Sequence, residues 1–560
     1  MAQRHFDTNA AQVLEAAGIH PVLARVFAAR GAETEYALNT DLANLHHHLL
    51  LKGSEEAAAR LAQAVLKNET VVIVADYDAD GATACAVGVR GLRLFGMQNV
   101  HFFVPDRFVH GYGLTPRIVE EIEHLRPDVL LTVDNGIASV AGVAAARGRG
   151  IDVVVTDHHL AGDQLPDAII VNPNQPGCKF PSKALAGVGV MFYVLLALRA
   201  ELAVRHGEHY GKVSLAPLLD LVALGTVADV VPLDHNNRIL VEHGLRRIRA
   251  GKAVPGILAL CRVANRDPSQ LVASDLGFSV GPRLNAAGRL TDMRIGINCL
   301  LSDDPVEARG LAATLHELNA DRKEIETRMQ AEALAIPAVG AVANLYSLVL
   351  HQADWHAGVI GLVASRIKEK YYRPVICFAK GDTGELKGSG RSIPGLHLRD
   401  ALDLVDKKHP GLILKFGGHA AAAGLSIQEA HLAEFSSAFE AAARSMLTPA
   451  DLTPASIDDG ALQPDQLCDE WLAQAIHRQV WGQGFPPPVF VGKFRVLEQS
   501  VLKDSHLRLK LGTEEGQALP GILFNRAEQL PDTVWVRYEL GWNVFRGAGS
   551  VQLRILEVLR

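Results

Sequence analysis

The stretch VVIVADYDADGATA, residues 71–84, decides how the first half of the chain folds. Five aliphatic residues in a row leave a strand with no polar face, so it must be buried on both sides, as in a parallel sheet covered by helices. The run ends on Asp76, Asp78 and Asp80 at alternate positions. Carboxylates that close repel one another unless an opposite charge holds them. Comparable runs follow at DVLLTV (128–133), DVVVT (152–156) and AIIV (168–171), separated by Ala- and Gly-rich segments of helical length. Asp134 comes directly after LLTV, and Asp157, His158 and His159 directly after VVVT. The carboxyl ends of strands in an open parallel sheet are where ligands bind. A fourth segment, GTVADVVPL, brings Asp229 after a helical run.

Buried, ionised carboxylates packed together cost several kcal/mol, and divalent cations remove that cost. Oxygen ligands with one or two imidazoles and no thiolate suit Mn²⁺ or Mg²⁺ better than structural Zn²⁺. Five or six ligands exceed the needs of one ion that must also hold substrate and water. The pattern therefore predicts a two-metal site, ions about 3.5–4 Å apart, of the kind that hydrolyses phosphate esters.

Composition narrows the class. The chain has 560 residues, 48% hydrophobic and 21% charged, which fits a soluble globular protein of several domains. Its longest apolar stretch carries Asp220 and Asp229, against a membrane span, and MAQRHFDTNA lacks the apolar core of a signal peptide. Cysteines at 85, 178, 261, 299, 377 and 468 form no CxxC pair, so a reducing cytoplasm is expected. A net charge of −7 excludes binding nucleic acid by bulk attraction alone. Any polyanion needs local cations or metals.

Residues 1–68 read as helical, with His46, His47 and His48 on an ordinary helix surface, and 69–302 as the α/β sheet domain. A helix is expected over 303–337: Asp304 at the N-cap, Pro305 at the first position, Glu307 three residues after the cap, then Leu311, Leu315, Leu318, Ile325 and Met329 at helical steps. Residues 338–450 return to α/β, with strands in YSLVLHQ and RPVICFA. Residues 451–560 turn to β; VFVGKFRVL, HLRLKL, ALPGILF, VWVRYEL and VQLRILEVL predict a small five-stranded barrel of the OB type. Five Gly-rich or basic stretches remain: PDRFVHGYG (105–113), GPRLNAAGRL (281–290), WHAGVIGLVASRI (355–367), GSGRS (388–392) and FGGHAAAAG (416–424). Glycines allow close approach to a phosphate while Arg and Ser donate to it, which favours phosphate contact for GSGRS and FGGHAAAAG and helix packing for WHAGVIGLVASRI.

DYDADG, VDNG, TDHH and GTVADVVPL resemble the four successive motifs of the DHH phosphoesterase superfamily. The resemblance implies metal ligation by Asp78, Asp80, Asp134, His158 and Asp229, with Asp134 bridging, Asp76 ligating directly or through water, His159 on the scissile phosphate, and Asp157 orienting His158. The Gly-rich stretches and the β-rich end are similar to the RecJ family over nearly the whole chain. That likeness implies a single-stranded-DNA exonuclease running 5′ to 3′, releasing mononucleotides in recombination and mismatch repair alongside other repair proteins. It implies that DNA threads between the two α/β domains and that Arg107, Arg283, Ser389 and Arg391 grip the 5′ phosphate; Arg289, Gly417, Gly418 and His419 join the DNA-binding set. Two rivals are a DHH phosphodiesterase for short oligonucleotides or cyclic dinucleotides, and a catalytically silent DNA-binding scaffold.

Overall fold

The computed structural model describes residues 2–106, 110–340, 342–381, 384–545 and 548–559. The chain folds into two compact units: Met1–Gly288 with Asp292–His316 and Ser456–Arg560, and Arg289–Thr291 with Glu317–Ala455.

The first unit opens with helices Thr8–Ala16, Pro21–Ala28 and Ser54–Lys67, joined by 3₁₀ turns. The histidine triplet does not lie on a regular helix as expected. His47 caps a 3₁₀ turn at His48–Leu50, accepting the Leu49 N–H, and His46 packs edge-on against Phe180. His47 and Asn39 accept local N–H bonds that compete with helix continuation.

Next comes a five-stranded parallel sheet: β1 (Val71–Ala75), β2 (Val100–Phe103), β3 (Val129–Val133), β4 (Asp152–Thr156) and β5 (Ile169–Val171), in the spatial order β2-β1-β3-β4-β5. β1 and β3 are buried at every position, as their unbroken aliphatic runs require. The chain steps from β1 to β2 on one side and returns to β3 on the other. The switch point of the sheet therefore falls between β1 and β3, and it opens a crevice at their carboxyl ends.

Four helices bear on that crevice: α1 (Ala79–Leu94), α2 (Gly187–His206), α3 (Leu219–Ala228) and α4 (Gly281–Leu290). α2 is long and apolar enough to cross a membrane, but 67% of its apolar window is buried, as in a core helix. Asp220, which argued against a membrane span, is buried and accepts the N–H groups of Leu221 and Val254.

The expected long helix is α5, 31 residues over Pro305–Ala335. Asp304 Oδ1 accepts the Val306 N–H at 2.8 Å, and Glu307 takes the Ser302 hydroxyl. The second unit carries a mixed sheet of β6 (Leu348–His351), β7 (Val375–Lys380), β8 (Glu385–Arg391), β9 (Lys415–Gly418) and β10 (Ala422–Gln428), ordered β9-β10-β8-β7-β6, together with helix α6 (Ile360–Tyr371). Ile376, Phe378, Leu425, Phe435 and Phe439 form the centre of its core. The C-terminal strands β11 (Phe490–Leu502), β12 (His506–Gly512), β13 (Ala518–Leu523), β14 (Thr533–Phe545) and β15 (Ala548–Leu559) close into a barrel, β11-β12-β13-β15-β14, in which only β13 and β15 run parallel.

Candidate metal centre

The acidic residues continue the strand ladders past the end of the sheet. Asp76 N–H donates to Val133 O at 3.3 Å, Asp134 N–H to Thr156 O at 2.9 Å, and Asp157 N–H to Val171 O at 3.1 Å. Their side chains are thereby delivered to the crevice at the switch point. Asp134 takes a left-handed φ of +61°, a costly conformation at a residue that is not glycine. Asn135 fixes the turn, its amide donating to Val74 O at 3.1 Å and Val133 O at 2.9 Å and so tying β1 to β3. Gly187 makes room: a Cβ there would stand 2.5 Å from Asp134 Cβ.

Three groups of possible ligand atoms converge, each within 4.8 Å: Asp76, Asp78 and Asp134; Asp80, His158 and Asp229; Asp134, His158 and His159. Asp134 and His158 each belong to two of them. His158 Nε2 lies 3.1 Å from Asp134 Oδ1, 3.5 Å from Asp229 Oδ2 and 4.0 Å from Asp80 Oδ2. Both Asp134 Oδ1 and His158 Nε2 are buried without a hydrogen-bond partner among the described residues. Two polar atoms aimed at one point and bonded to nothing suit a cation between them. The donor set of carboxylates and imidazole, without thiolate, fits Mn²⁺ or Mg²⁺.

Electrostatics points the same way. Burial, then the neighbouring Asp229 charge, pushes Asp80 up to about 7. Burial and Asp78 push Asp229 up to about 7. Burial, then the surrounding carboxylates, drives Asp134 well above the ordinary range. Asp80 is partly relieved by the N–H groups of Gly187 and Val188 at the start of α2, at 2.6 and 2.8 Å.

The two histidines differ. Burial lowers the pKa of His158, keeping a lone pair available for a metal. Partial desolvation lowers His159, whose side chain is 45% exposed, but Asp157, hydrogen-bonded to it and facing it, outweighs this and holds it at about 9. Here the expectation for Asp157 is corrected. Its Oδ1 accepts His159 Nδ1 at 2.7 Å and meets His158 only through the backbone N–H, because the tight turn after β4 puts both following amides over the carboxylate.

Sequence reasoning did not single out several supporting groups. Tyr112 donates its hydroxyl to Asp134 O at 3.2 Å and stands 3.2 Å from His159 Nδ1. Asn172 and Asn174 hold the carbonyls of His159 and His158. On α4, Asn285 accepts the Ala79 N–H at 2.8 Å, and a Cβ on Gly288 would stand 1.8 Å from Tyr77 O. GPRLNAAGRL thus braces the DYDADG turn. No local periodicity marks such long-range contacts, though Tyr112, Asn285 and Gly288 sit inside stretches already notable for Gly and Arg.

The remaining candidates fall elsewhere. Arg283 is 7% exposed, and its guanidinium bonds Ser279 O and His316. Arg107 lies outside the described residues. In the second unit Arg289 donates to Gly358 O at 3.1 Å. Ser389 and Arg391 share a face of β8, with Arg391 Nη1 3.2 Å from Ser389 Oγ. Gly417 and Gly418 pair with Gly424 and Ala423 of β10, which pairs in turn with β8, so GSGRS and FGGHAAAAG assemble on one sheet with His419 just past β9. Gly361, in the first turn of α6, closes over them: a Cβ there would meet Ser389 Oγ at 2.8 Å and Arg391 Nη2 at 2.9 Å.

Three family models match in succession: the DHH family N-terminal domain over residues 70–226, the DHHA1 domain over 341–445 and the RecJ OB domain over 458–557. The chain is 47% identical over 559 residues to the single-stranded-DNA-specific exonuclease RecJ of Salmonella typhimurium, covering 97% of this chain and 96% of the relative. The chain belongs to the RecJ family. A crystal structure of RecJ with Mn²⁺ from Thermus thermophilus superposes with a TM-score of 0.83 at 31% identity, covering 99% of this chain and 78% of that one. The same RecJ with Mg²⁺ gives 0.76 at 29% identity, covering 99% and 76%. That RecJ thus binds each of the two ions that the donor chemistry here favours.

Proposed function

We propose that the protein is a 5′-to-3′ exonuclease specific for single-stranded DNA, hydrolysing phosphodiester bonds with two divalent cations, Mn²⁺ or Mg²⁺, and releasing mononucleotides. One observation supports it above the rest: at the switch point of a parallel sheet, Asp134 Oδ1 and His158 Nε2 face each other at 3.1 Å, buried and without a hydrogen-bond partner among the described residues, amid Asp76, Asp78, Asp80 and Asp229. When bound, the cation pair supplies Lewis-acid charge at the reacting phosphate and a water nucleophile near neutral pH.

The side chains have separable parts in this reading. Asp78, Asp80, Asp134, His158 and Asp229 would hold the ions, and Asp76 would complete the set. Water adds to phosphorus as the bond to the 3′ oxygen of the departing nucleotide breaks. His159, cationic through Asp157, faces the charge that grows on the phosphate oxygens. Tyr112 fixes its ring. Ser389 and Arg391, beside the first turn of α6, form the anchor for the 5′ phosphate, with Gly417, Gly418 and His419 on the adjoining strands. The barrel binds incoming strand by stacking and phosphate contacts.

Division of the chain at 68, 302, 337 and 450 belongs to the same proposal, supported by the ranges of the three family matches. So do action in the cytoplasm and cooperation with other repair and recombination proteins. The test is a long 5′-labelled single strand beside a dinucleotide and a duplex, with Mn²⁺. Stepwise release of mononucleotides from the single strand is expected. Preference for the dinucleotide would transfer the chain to the short-oligonucleotide phosphodiesterases, and no turnover with either Mn²⁺ or Mg²⁺ would leave a scaffold.

A further inference from the structure

Immediately before α4 the chain forms one π-helical turn, Leu276–Val280. Such turns push a side chain out of the regular spiral and gather at functional sites. Leu276, Ser279 and Val280 are buried, while Phe278 points into water at 86% exposure. A benzyl group left so bare forgoes a large burial gain, and it does so here on a strained turn beside the metal centre. Its position is fixed. A Cβ on Gly277 would lie 3.3 Å from Val227 Cγ1, and one on Gly281 3.0 Å from Ala228 Cβ, so the turn rests on the end of α3.

The residues that follow there are Asp229, of the metal centre, and Val230. Val230 has a φ of +63° and 64% exposure. A left-handed β-branched residue is a steric outlier, and strain of that kind collects at working sites. Leu160, 72% exposed, follows His159 directly. Bare apolar side chains thus come one residue after two members of the acidic centre.

We infer that Phe278 is a stacking platform for an unpaired nucleobase of the strand entering the metal centre, with Val230 extending the apolar face. This rests on the nuclease reading and states what the site grips besides phosphate. The occupant follows from continuity with the centre, from the flat ring, and from a net charge of −7, which leaves phosphate attraction weak and stacking the stronger sequence-independent handle. A base already stacked in a duplex cannot use the platform, so it contributes to single-strand preference. A ring this exposed carries little of the fold, and Phe278→Ala melts where the wild type melts.

The experiment compares wild type, Phe278→Ala and Phe278→Trp on a 5′-phosphorylated single strand and on the same strand with abasic residues at its first four positions. Removing the ring raises KM about tenfold on the natural strand. Removing the bases costs the wild type a similar factor, the two losses do not add, and Trp restores the natural-strand value. In parallel, 2-aminopurine is placed at each of those positions, with Ca²⁺ to hold the strand uncleaved. At one position its fluorescence changes on binding wild type and the Trp variant but not Phe278→Ala. That readout needs no hydrolysis, so it separates failure of the platform from failure of the nuclease reading. Equal losses on both strands, no loss on either, or a fluorescence change indifferent to Phe278 would overturn the inference.

Discussion

One sheet has two edges, and they treat charge in opposite ways. At the amino ends of the strands charges meet partners: Arg60 bonds Glu69 at 2.6 Å and Asp152 at 2.5 Å, Arg149 sits 3.6 Å from Glu123, and Asp128 accepts the Thr70 N–H at 2.8 Å. At the carboxyl ends Asp78, Asp80, Asp134 and Asp229 gather with imidazoles but no Lys or Arg bonded to them among the described residues. The same scaffold that neutralises itself at one edge leaves negative charge at the other. The difference locates the cation site without any reference to relatives: charge is uncompensated where an ion compensates it.

The largest contrast comes from removing one carboxylate at the acidic edge. Asp134→Ala abolishes hydrolysis, by more than about 10³-fold in kcat, while single-strand binding by anisotropy in Ca²⁺ stays within a few-fold. Asp134→Asn, which drops the charge and tolerates a left-handed φ, raises the melting temperature of metal-free protein. A fall there would mean that the carboxylate is already paired.

Gly187→Ala is next. The added methyl displaces Asp134 and the amides that hold Asp80, and kcat drops on the order of 10²-fold with the fold retained by circular dichroism. Unchanged kcat would show that the crevice is looser than the distances imply.

Protons compete with the cations. Asp80 and Asp229, each raised to about 7 without metal, stabilise the folded chain less and less as pH rises from the ordinary carboxylate range to about 7. Metal-free melting temperature therefore falls over that interval, added Mn²⁺ restores it, and Mn²⁺ affinity weakens by about tenfold or more per pH unit below 7. Calorimetry in two buffers of different ionisation enthalpy would read the released protons; no release would contradict the shifts.

Tyr112→Phe loses the hydroxyl that fixes His159 and lowers kcat several-fold at pH 8, with Mn²⁺ affinity unaltered. Arg60→Ala, at the compensated edge, leaves the rate alone but costs about 1–3 kcal/mol of stability, because Glu69, 15% exposed, loses its cation while Asp152 is largely exposed.

The strands and their acidic successors were legible because they are local: an aliphatic run buried on both faces, then a carboxylate at the strand end. So were α5, with its cap at Asp304, and the barrel, with its alternating strands. What escaped was set by contacts far apart in the chain. Asn285 reaches Ala79 across 206 residues, and Arg283 turns to His316 instead of outward. Asp157 holds His159 instead of the His158 ring because of the turn geometry, which spacing alone does not give. The histidine triplet looked helical by composition and was captured by local side-chain caps.

The most direct measurement is anomalous diffraction at the manganese edge from crystals soaked in Mn²⁺. Two peaks about 4 Å apart between the ends of β1, β3 and β4, with Asp134 touching both, are expected. Density that is absent there, or that settles instead among Arg60, Glu69 and Asp152, would contradict the claim that uncompensated carboxylates define the reacting site.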